Sequence, residues 1–295
     1  MIKSFSLAPF RTPNRKTGLL VVAGPFRCLF SKTNSVSILF AATLLFAIPP
    51  VVQAQVQPAT YTVCPEDCNY TSPEAAVNDP ARVDGDTIDI ATGAYVMVAP
   101  MQVVKPITIN GNGSILNANG NRALEVTGTS PIVIVNDVII INGRDPGESS
   151  GGAITVSGGA TLILNGSTVE SSSADDSGGG LSNSDSLVDI FDSAFVSNDS
   201  GISGGAIRTS GATAVTNLTR VTIDGNQAGF IGGGLATING ATINVSESTI
   251  SNNAALTSSV IIDNFTATGL TNNCGTGPYG QTFLAGSSAI SAFHY

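Results

Sequence analysis

The 295 residues leave room for one or two domains, but 33 glycines, no tryptophan and only 11% charged residues point away from helices and toward short strands joined by turns. Charge is uneven: residues 1–54 hold six basic residues and no acidic one, while beyond them six basic residues face all 21 carboxylates, a net charge of −15. So acidic a surface repels phosphate backbones, and nucleic acid is excluded as a partner.

In chain order, residues 1–54 read as a cleavable signal peptide. A basic stretch through Lys32 precedes the apolar run Val36 to Ile48, then Pro49-Pro50 and Val52-Gln53-Ala54, with small residues where a signal peptidase inspects. The run is short of the ~20 residues needed to span a bilayer. The expectation is export to the extracellular space or the cell surface, in association with the outer membrane, with no transmembrane segment in the mature chain. Cys28 leaves with the leader. In an oxidising compartment Cys64 and Cys68 are then disulfide candidates, and Cys274 stays free or pairs between chains. Three thiols and one distant His do not make a zinc site.

Residues 55–80 are expected to form an N-terminal cap, with a short helix at Ser72-Pro73-Glu74-Ala75-Ala76-Val77 and Ser72 as its N-cap. Residues 81–262 carry the strands. Thr87–Ile90, Ile107–Ile109, Ala123–Val126 and Val138–Ile141 are apolar runs separated by turns such as Asn110-Gly111-Asn112-Gly113. From Gly151 the spacing becomes regular. Gly151-Gly152-Ala153-Ile154, Gly178-Gly179-Gly180-Leu181, Gly204-Gly205-Ala206-Ile207 and Gly232-Gly233-Gly234-Leu235 start 27, 26 and 28 residues apart.

A second element travels in phase. Val169-Glu170-Ser171-Ser172, Phe195-Val196-Ser197-Asn198, Ile223-Asp224-Gly225-Asn226 and Ile250-Ser251-Asn252-Asn253 follow each first glycine by 18, 17, 19 and 18 residues. A third apolar stretch lies between, giving three short strands per repeat. The fold class expected is all-β, a right-handed parallel β-helix of about nine three-strand coils of about 27 residues. Apolar residues then stack inward, Asn at equivalent turns forms ladders, and paired Gly occupies bends that exclude a Cβ or need positive φ. After Val260–Ile262 the pattern fades, and residues 263–295 are expected to be a C-terminal cap or tail.

The Gly-Gly-Ala-Ile passages at Gly151 and Gly204 and the Phe195-x-x-Asn198 passage resemble the polymorphic outer membrane protein repeat of chlamydial type. Asp84-Gly85-Asp86-Thr87-Ile88, then Gly93-Ala94-Tyr95, then Lys105-Pro106-Ile107-Thr108-Ile109 looks like the opening coils of pectin-lyase-like β-helices. The resemblance implies secretion and a β-helix, and it does not by itself imply catalysis. The chain departs from the chlamydial family after residue 253, where a membrane barrel is not expected.

Chemistry is sparse. The only His is His294, so a Ser-His-Asp system is not expected. A glycoside hydrolase of this fold needs two carboxylates facing one sugar bond; Asp189 and Asp192 lie close in one repeat, and Asp175-Asp176 lie in a turn. A polysaccharide lyase needs a cationic base, for which Arg208 is the candidate. No cofactor is expected beyond weak calcium binding at Asp-rich turns such as Ser173 to Ser177. Asn-x-Ser/Thr triplets start at Asn69, Asn112, Asn165, Asn198, Asn217, Asn244 and Asn264. The reading that follows is a non-enzymatic adhesion or display module whose partners are glycans or surface proteins, with a polysaccharide lyase or other carbohydrate-active enzyme as the alternative.

Overall fold

The computed structural model describes residues 57–144, 150–255, 264–268 and 271–273. The leader through residue 54, Cys28, the Val260–Ile262 stretch, Cys274, His294 and the terminal aromatic residues lie outside the described residues. The fold is a parallel β-solenoid of about seven turns. The expected nine came from dividing the whole mature chain by the repeat length. Residues 57–85 instead supply one strand, a helix and turns, and after Ala255 only Asn264–Thr268 and Thr271–Asn273 are strands among the described residues.

The strands stack into four ladders, each strand pairing in parallel with its equivalent one coil on; ladders 1 and 2 run the length of the solenoid, ladder 4 starts at Met101 and ladder 3 only at Ser173. Ladder 1 contains Asp86–Ile90, the first half of Ile107–Asn117, the first half of Ile132–Ile141, Thr161–Asn165, Leu187–Phe191, Val215–Thr219 and Thr242–Ser246. Ladder 2 contains Ala94–Val96, the second halves of the same two long strands, Thr168–Glu170, Ala194–Val196, Thr222–Asp224 and Thr249–Ser251. Ladder 3 has two-residue strands: Ser173–Ala174, Asp199–Ser200, Gln227–Ala228 and Ala254–Ala255. Ladder 4 runs from Met101–Val103 through Leu124–Thr127, Ile154–Ser157, Leu181–Ser184 and Ile207–Ser210 to Leu235–Ile238. The three strands expected per coil are therefore joined by a fourth, too short to show a period of its own. Asn264–Thr268 and Thr271–Asn273 carry ladders 1 and 2 further.

Side chains alternate in and out along each strand, so in-register pairing turns one inward residue per coil into a continuous row. Ladder 1 stacks Ile88, Ile109, Val135, Leu164, Ile190, Leu218 and Val245, all buried. Ladder 2 stacks Tyr95, Leu116, Ile140, Val169, Phe195, Ile223 and Ile250. Each such aliphatic side chain contributes about 1.5–3 kcal/mol by leaving water. Phe195, the bulkiest fully buried side chain, lies against Gly180, where an added Cβ would sit 2.8 Å from its ring. That is why the small residue before Leu181 is glycine rather than the alanine of Ala153 and Ala206.

Corners between ladders use left-handed backbone. Between ladders 1 and 2 these are Asp137, Gly166, Asp192, Arg220 and Glu247, with φ from 50 to 58°. Between ladders 2 and 3 they are Ser171, Ser197, Gly225 and Asn252. The Asn110–Gly113 passage, expected as a turn separating strands, is a corner inside the continuous strand Ile107–Asn117, marked by a register shift between Asn110 and Ser114. Only glycine fits there at position 111, because a Cβ would meet the Asp137 carbonyl oxygen at 2.4 Å.

The two glycines of each repeat motif serve different purposes. Gly151, Gly178, Gly204 and Gly232 have positive φ and turn the chain from ladder 3 into ladder 4. Gly152, Gly179, Gly205 and Gly233 do not, but a Cβ at any of them would lie 2.1–2.2 Å from a backbone carbonyl oxygen of the neighbouring coil. The asparagines form a ladder of their own, buried at the corner after ladder 2. Asn226 Oδ1 accepts from the Asn198 backbone N–H (2.9 Å) and from Asn198 Nδ2 (3.0 Å), and Asn253 Oδ1 does the same for Asn226 at 2.9 and 2.8 Å. Ser172 takes this place one coil earlier and accepts from Gly143 N–H at 3.1 Å.

At the N-terminal end Thr60–Val63 pairs with Asp86–Ile90, and helix α1 (Pro73–Val77) closes the first coil. Ser72 caps it through an Ala75 N–H bond to its hydroxyl, with proline at the first position, where no amide partner is lost. Cys64 and Cys68 form a disulfide, Cα–Cα 5.5 Å, tying the loop between them. Arg82 is buried with its guanidinium 3.1 Å from the Tyr61 ring centroid, and Asp86, fully buried beneath it, accepts from Ala59 and Val83 N–H at 2.9 Å.

Candidate functional site

The outward positions of ladders 1 and 2 form rows of side chains repeating at the ~4.8 Å interstrand spacing. One row runs Asp189, Asn217, Asn244, in which Asn217 Nδ2 donates to Asp189 (2.7 Å) and Asn244 Nδ2 donates to Asn217 (2.8 Å). A second runs Asn110, Asn136, Asn165, linked by amide bonds of 3.0 and 2.9 Å. Thr168, Ala194, Thr222 and Thr249 line a third on ladder 2. Each amide row spans three coils and gives way to an apolar side chain in the next, Ile163 beside Asp189 and Phe191 beside Asn165, and Ala194 interrupts the threonine row. Asn165, Asn217 and Asn244 of the glycosylation triplets are held in these rows, and Asn198 is buried in the corner ladder.

The residues singled out for acid–base chemistry do not converge. Asp189 projects from ladder 1 and is engaged by Asn217. Asp192 sits at the corner after that strand, where Arg220 of the next coil grips it with Nε at 2.6 Å and Nη2 at 2.7 Å, and Glu247 lies 3.9 Å from Arg220 on the following coil. Arg208 projects from ladder 4, a separate sheet. Acid, base and cation thus have separate partners.

The bidentate hydrogen bond from Arg220 holds the Asp192 carboxyl below the ordinary carboxylate range. A carboxyl with a depressed folded pKa stabilises the fold above its unfolded value and loses that contribution as pH falls through the folded one. Asp192→Asn should therefore differ most from the parent near neutrality, and the two acid-denaturation curves should converge below about pH 4. The effect is small, because both partners are half exposed. Curves that keep a constant separation down to the unfolding pH would count against this pairing.

Arg208 is the most unusual cation of the repeats. It is half buried, its Nη1 lies 3.4 Å from Ser150 Oγ, and its Nε is buried without an acceptor. Burial pushes its pKa down, and the nearby Asp176 carboxylate partly opposes this. Asp176 accepts from Ser150 Oγ (3.0 Å) and Ser177 Oγ (3.1 Å), while Asp175 pairs with Arg144 at 3.3 Å. The carboxylates of the Ser173–Ser177 turn are thus occupied by protein donors. Among the described residues no three His, Cys, Asp or Glu side chains gather as a metal site.

Two features have no signature in the residue pattern. The inward row of ladder 4 changes from Val126 and Val156 to Asn183, Thr209 and Thr237, all buried. Asn183 Nδ2 bonds Thr216 Oγ1 across the core at 3.0 Å, and Thr209 and Thr216 share a hydroxyl bond of 2.8 Å. The second is the Arg82 stack in the cap. The solenoid is consistent with the pectin-lyase-like superfamily. No family model and no curated protein matches the chain, so the likeness to the chlamydial repeat rests on the quoted motifs.

Proposed function

We propose that the chain is an exported β-helix that acts as a non-enzymatic adhesion or display module at the cell surface. The observation that carries the reading is the set of outward amide, hydroxyl and carboxylate rows. They extend over three or four successive coils each, and the carboxylates that would serve catalysis are absorbed into them or into corner ion pairs. Repeated weak contacts of this kind bind extended polymers through many sites, with affinity gained by multiplicity rather than by one deep pocket. Glycans and surface proteins are the partner classes, and the charge of −15 beyond residue 54 favours neutral or cationic ones. The signal-peptide pattern of residues 1–54 supports export.

A second reading, a polysaccharide lyase, is favoured by Arg208, whose buried and unpartnered Nε resembles a cation prepared for work rather than for solubility. One screen separates the two. The protein is tested against uronate-containing and neutral polysaccharides, with and without calcium, by absorbance for unsaturated ends, by reducing-end release and by binding. Binding without cleavage is the expected result. Cleavage abolished by Arg208→Ala would establish the lyase, and neither binding nor cleavage would leave proteins as the partners.

A further inference from the structure

Seven Asn-x-Ser/Thr triplets occur in the chain, and the asparagine side chains of six of them lie among the described residues. N-glycan transfer joins the asparagine Nδ2 to a sugar, so a folded acceptor needs that nitrogen exposed, free to give up one hydrogen and clear of neighbouring strands. Five of the six do not meet this requirement. Asn198 is buried, and its Nδ2 donates to the Val169 carbonyl and to Asn226 Oδ1, both at 3.0 Å. Asn112 Nδ2 also has both hydrogens engaged, by Asp89 Oδ1 at 3.0 Å and the Ile90 carbonyl at 2.9 Å. Asn165, Asn217 and Asn244 are half-buried in the outward rows of ladder 1, where they donate to Asn136, Asp189 and Asn217. Each has a paired strand on either side.

Asn69 is different. It is exposed in the N-terminal cap, next to Cys68 of the disulfide. Its Oδ1 accepts from the Thr62 backbone N–H at 2.9 Å and from the Thr62 hydroxyl at 3.0 Å. A backbone N–H only donates, so the amide oxygen must face Thr62. Nδ2 therefore faces away, with no hydrogen-bond acceptor among the described residues. The triplet is also presented as a unit. Tyr70 bridges Val63 in parallel, donating its N–H to the Thr62 carbonyl and accepting from Cys64 N–H, both at 3.1 Å. Extended backbone sends alternate side chains to opposite sides. Tyr70 thus turns into the cap, where its hydroxyl accepts from Arg82 at 3.0 Å, while Asn69 and Thr71 are both exposed.

We propose that Asn69 is the N-glycan acceptor of the folded chain, taking an oligosaccharide from a lipid-pyrophosphate donor. Nδ2 bonds to the anomeric carbon as the bond from that carbon to the pyrophosphate oxygen breaks. The lipid pyrophosphate leaves with the bonding pair, and one Nδ2 hydrogen departs as a proton. Oδ1 keeps both Thr62 bonds in the product, so the cap is unchanged by the modification. The glycan stands at the N-terminal end of ladder 1, before Asp89 and Asn110, and leaves the asparagine rows uncovered. The assignment rests on the exported reading, because such acceptors belong to secreted chains.

The test is incubation of the purified full-length chain with an oligosaccharyltransferase and a lipid-pyrophosphate-linked oligosaccharide, followed by peptide mapping in a mass spectrometer. In the folded chain Asn69 should carry the glycan, and Asn112, Asn165, Asn198, Asn217 and Asn244 should not. Peptides from a digest of the same chain should accept at several of these positions, which would show that the fold makes the choice. Thr71→Ala should abolish transfer to Asn69 and Thr71→Ser should retain it, with the circular dichroism of both variants unchanged. No transfer to Asn69, transfer to any of the other five in the folded chain, or peptides that accept at Asn69 alone would each overturn the proposal. Transfer to the purified chain does not depend on export, so its failure counts against the site. Failure of the exported reading is seen separately, as a chain that a secreting host does not cleave after Ala54.

Discussion

Gly205→Val should unfold the solenoid or lower its stability by more than about 4 kcal/mol, at the extreme of single substitutions. The reason is steric and lies in backbone. A Cβ at this position would stand 2.2 Å from the Gly233 carbonyl oxygen and 2.3 Å from that of Gln227, both belonging to the next coil. Neither oxygen can withdraw without breaking the pairing of ladders 3 and 4. Gly166→Ala separates this effect from simple backbone strain. Gly166 has a φ of +58° but open space around its would-be Cβ, so alanine there should cost only the left-handed penalty of about 1–2 kcal/mol. Urea unfolding of the two variants should rank them clearly, and equal losses would show that the second glycine of the motif is not packed as described.

Asn226→Leu should be the next most damaging change, at roughly 3–5 kcal/mol, from several buried groups left unsatisfied at about 1–3 kcal/mol each. Asn226 Oδ1 accepts from two Asn198 groups, and its Nδ2 donates to the Phe195 carbonyl at 2.9 Å and to Asn253 Oδ1 at 2.8 Å. Leucine matches the volume and removes all of these bonds. Asn226→Ser should be milder, because Ser172 already holds the equivalent corner with a single hydroxyl. Thermal melts that place serine and leucine together would mean that the amide ladder adds little beyond packing.

These two positions were legible in the sequence because their chemistry is local and recurs at every coil. A pair of glycines 26–28 residues apart and an asparagine at a steady offset report a corner that each coil must build afresh. Ladder 3 was not legible, since Ser173–Ala174, Asp199–Ser200, Gln227–Ala228 and Ala254–Ala255 are two residues long and repeat only a small residue, alanine or serine, at the second position. Two residues need only the right backbone. The corner filled in turn by Gly166, Asp192, Arg220 and Glu247 is equally silent, because these residues share a left-handed backbone and no side-chain type. The candidate site shows the other limit. Asp189 and Arg208 are near in sequence but lie on different ladders, so their side chains leave the solenoid from different sheets. The Arg82 stack depends on Tyr61 and Tyr70 meeting across the cap, a placement no spacing within one repeat encodes.

The parallel ladders also decide how such a body answers tension. The bonds between coils run along the solenoid axis, whereas the covalent chain runs around it. A pull along that axis therefore opens hydrogen bonds while the strands within each coil carry almost none of the load. Failure proceeds from an end, one coil at a time, and each coil of about 27 residues releases up to roughly 90 Å of slack chain. A tether built this way yields by lengthening in steps before it parts, absorbing a sudden load over distance.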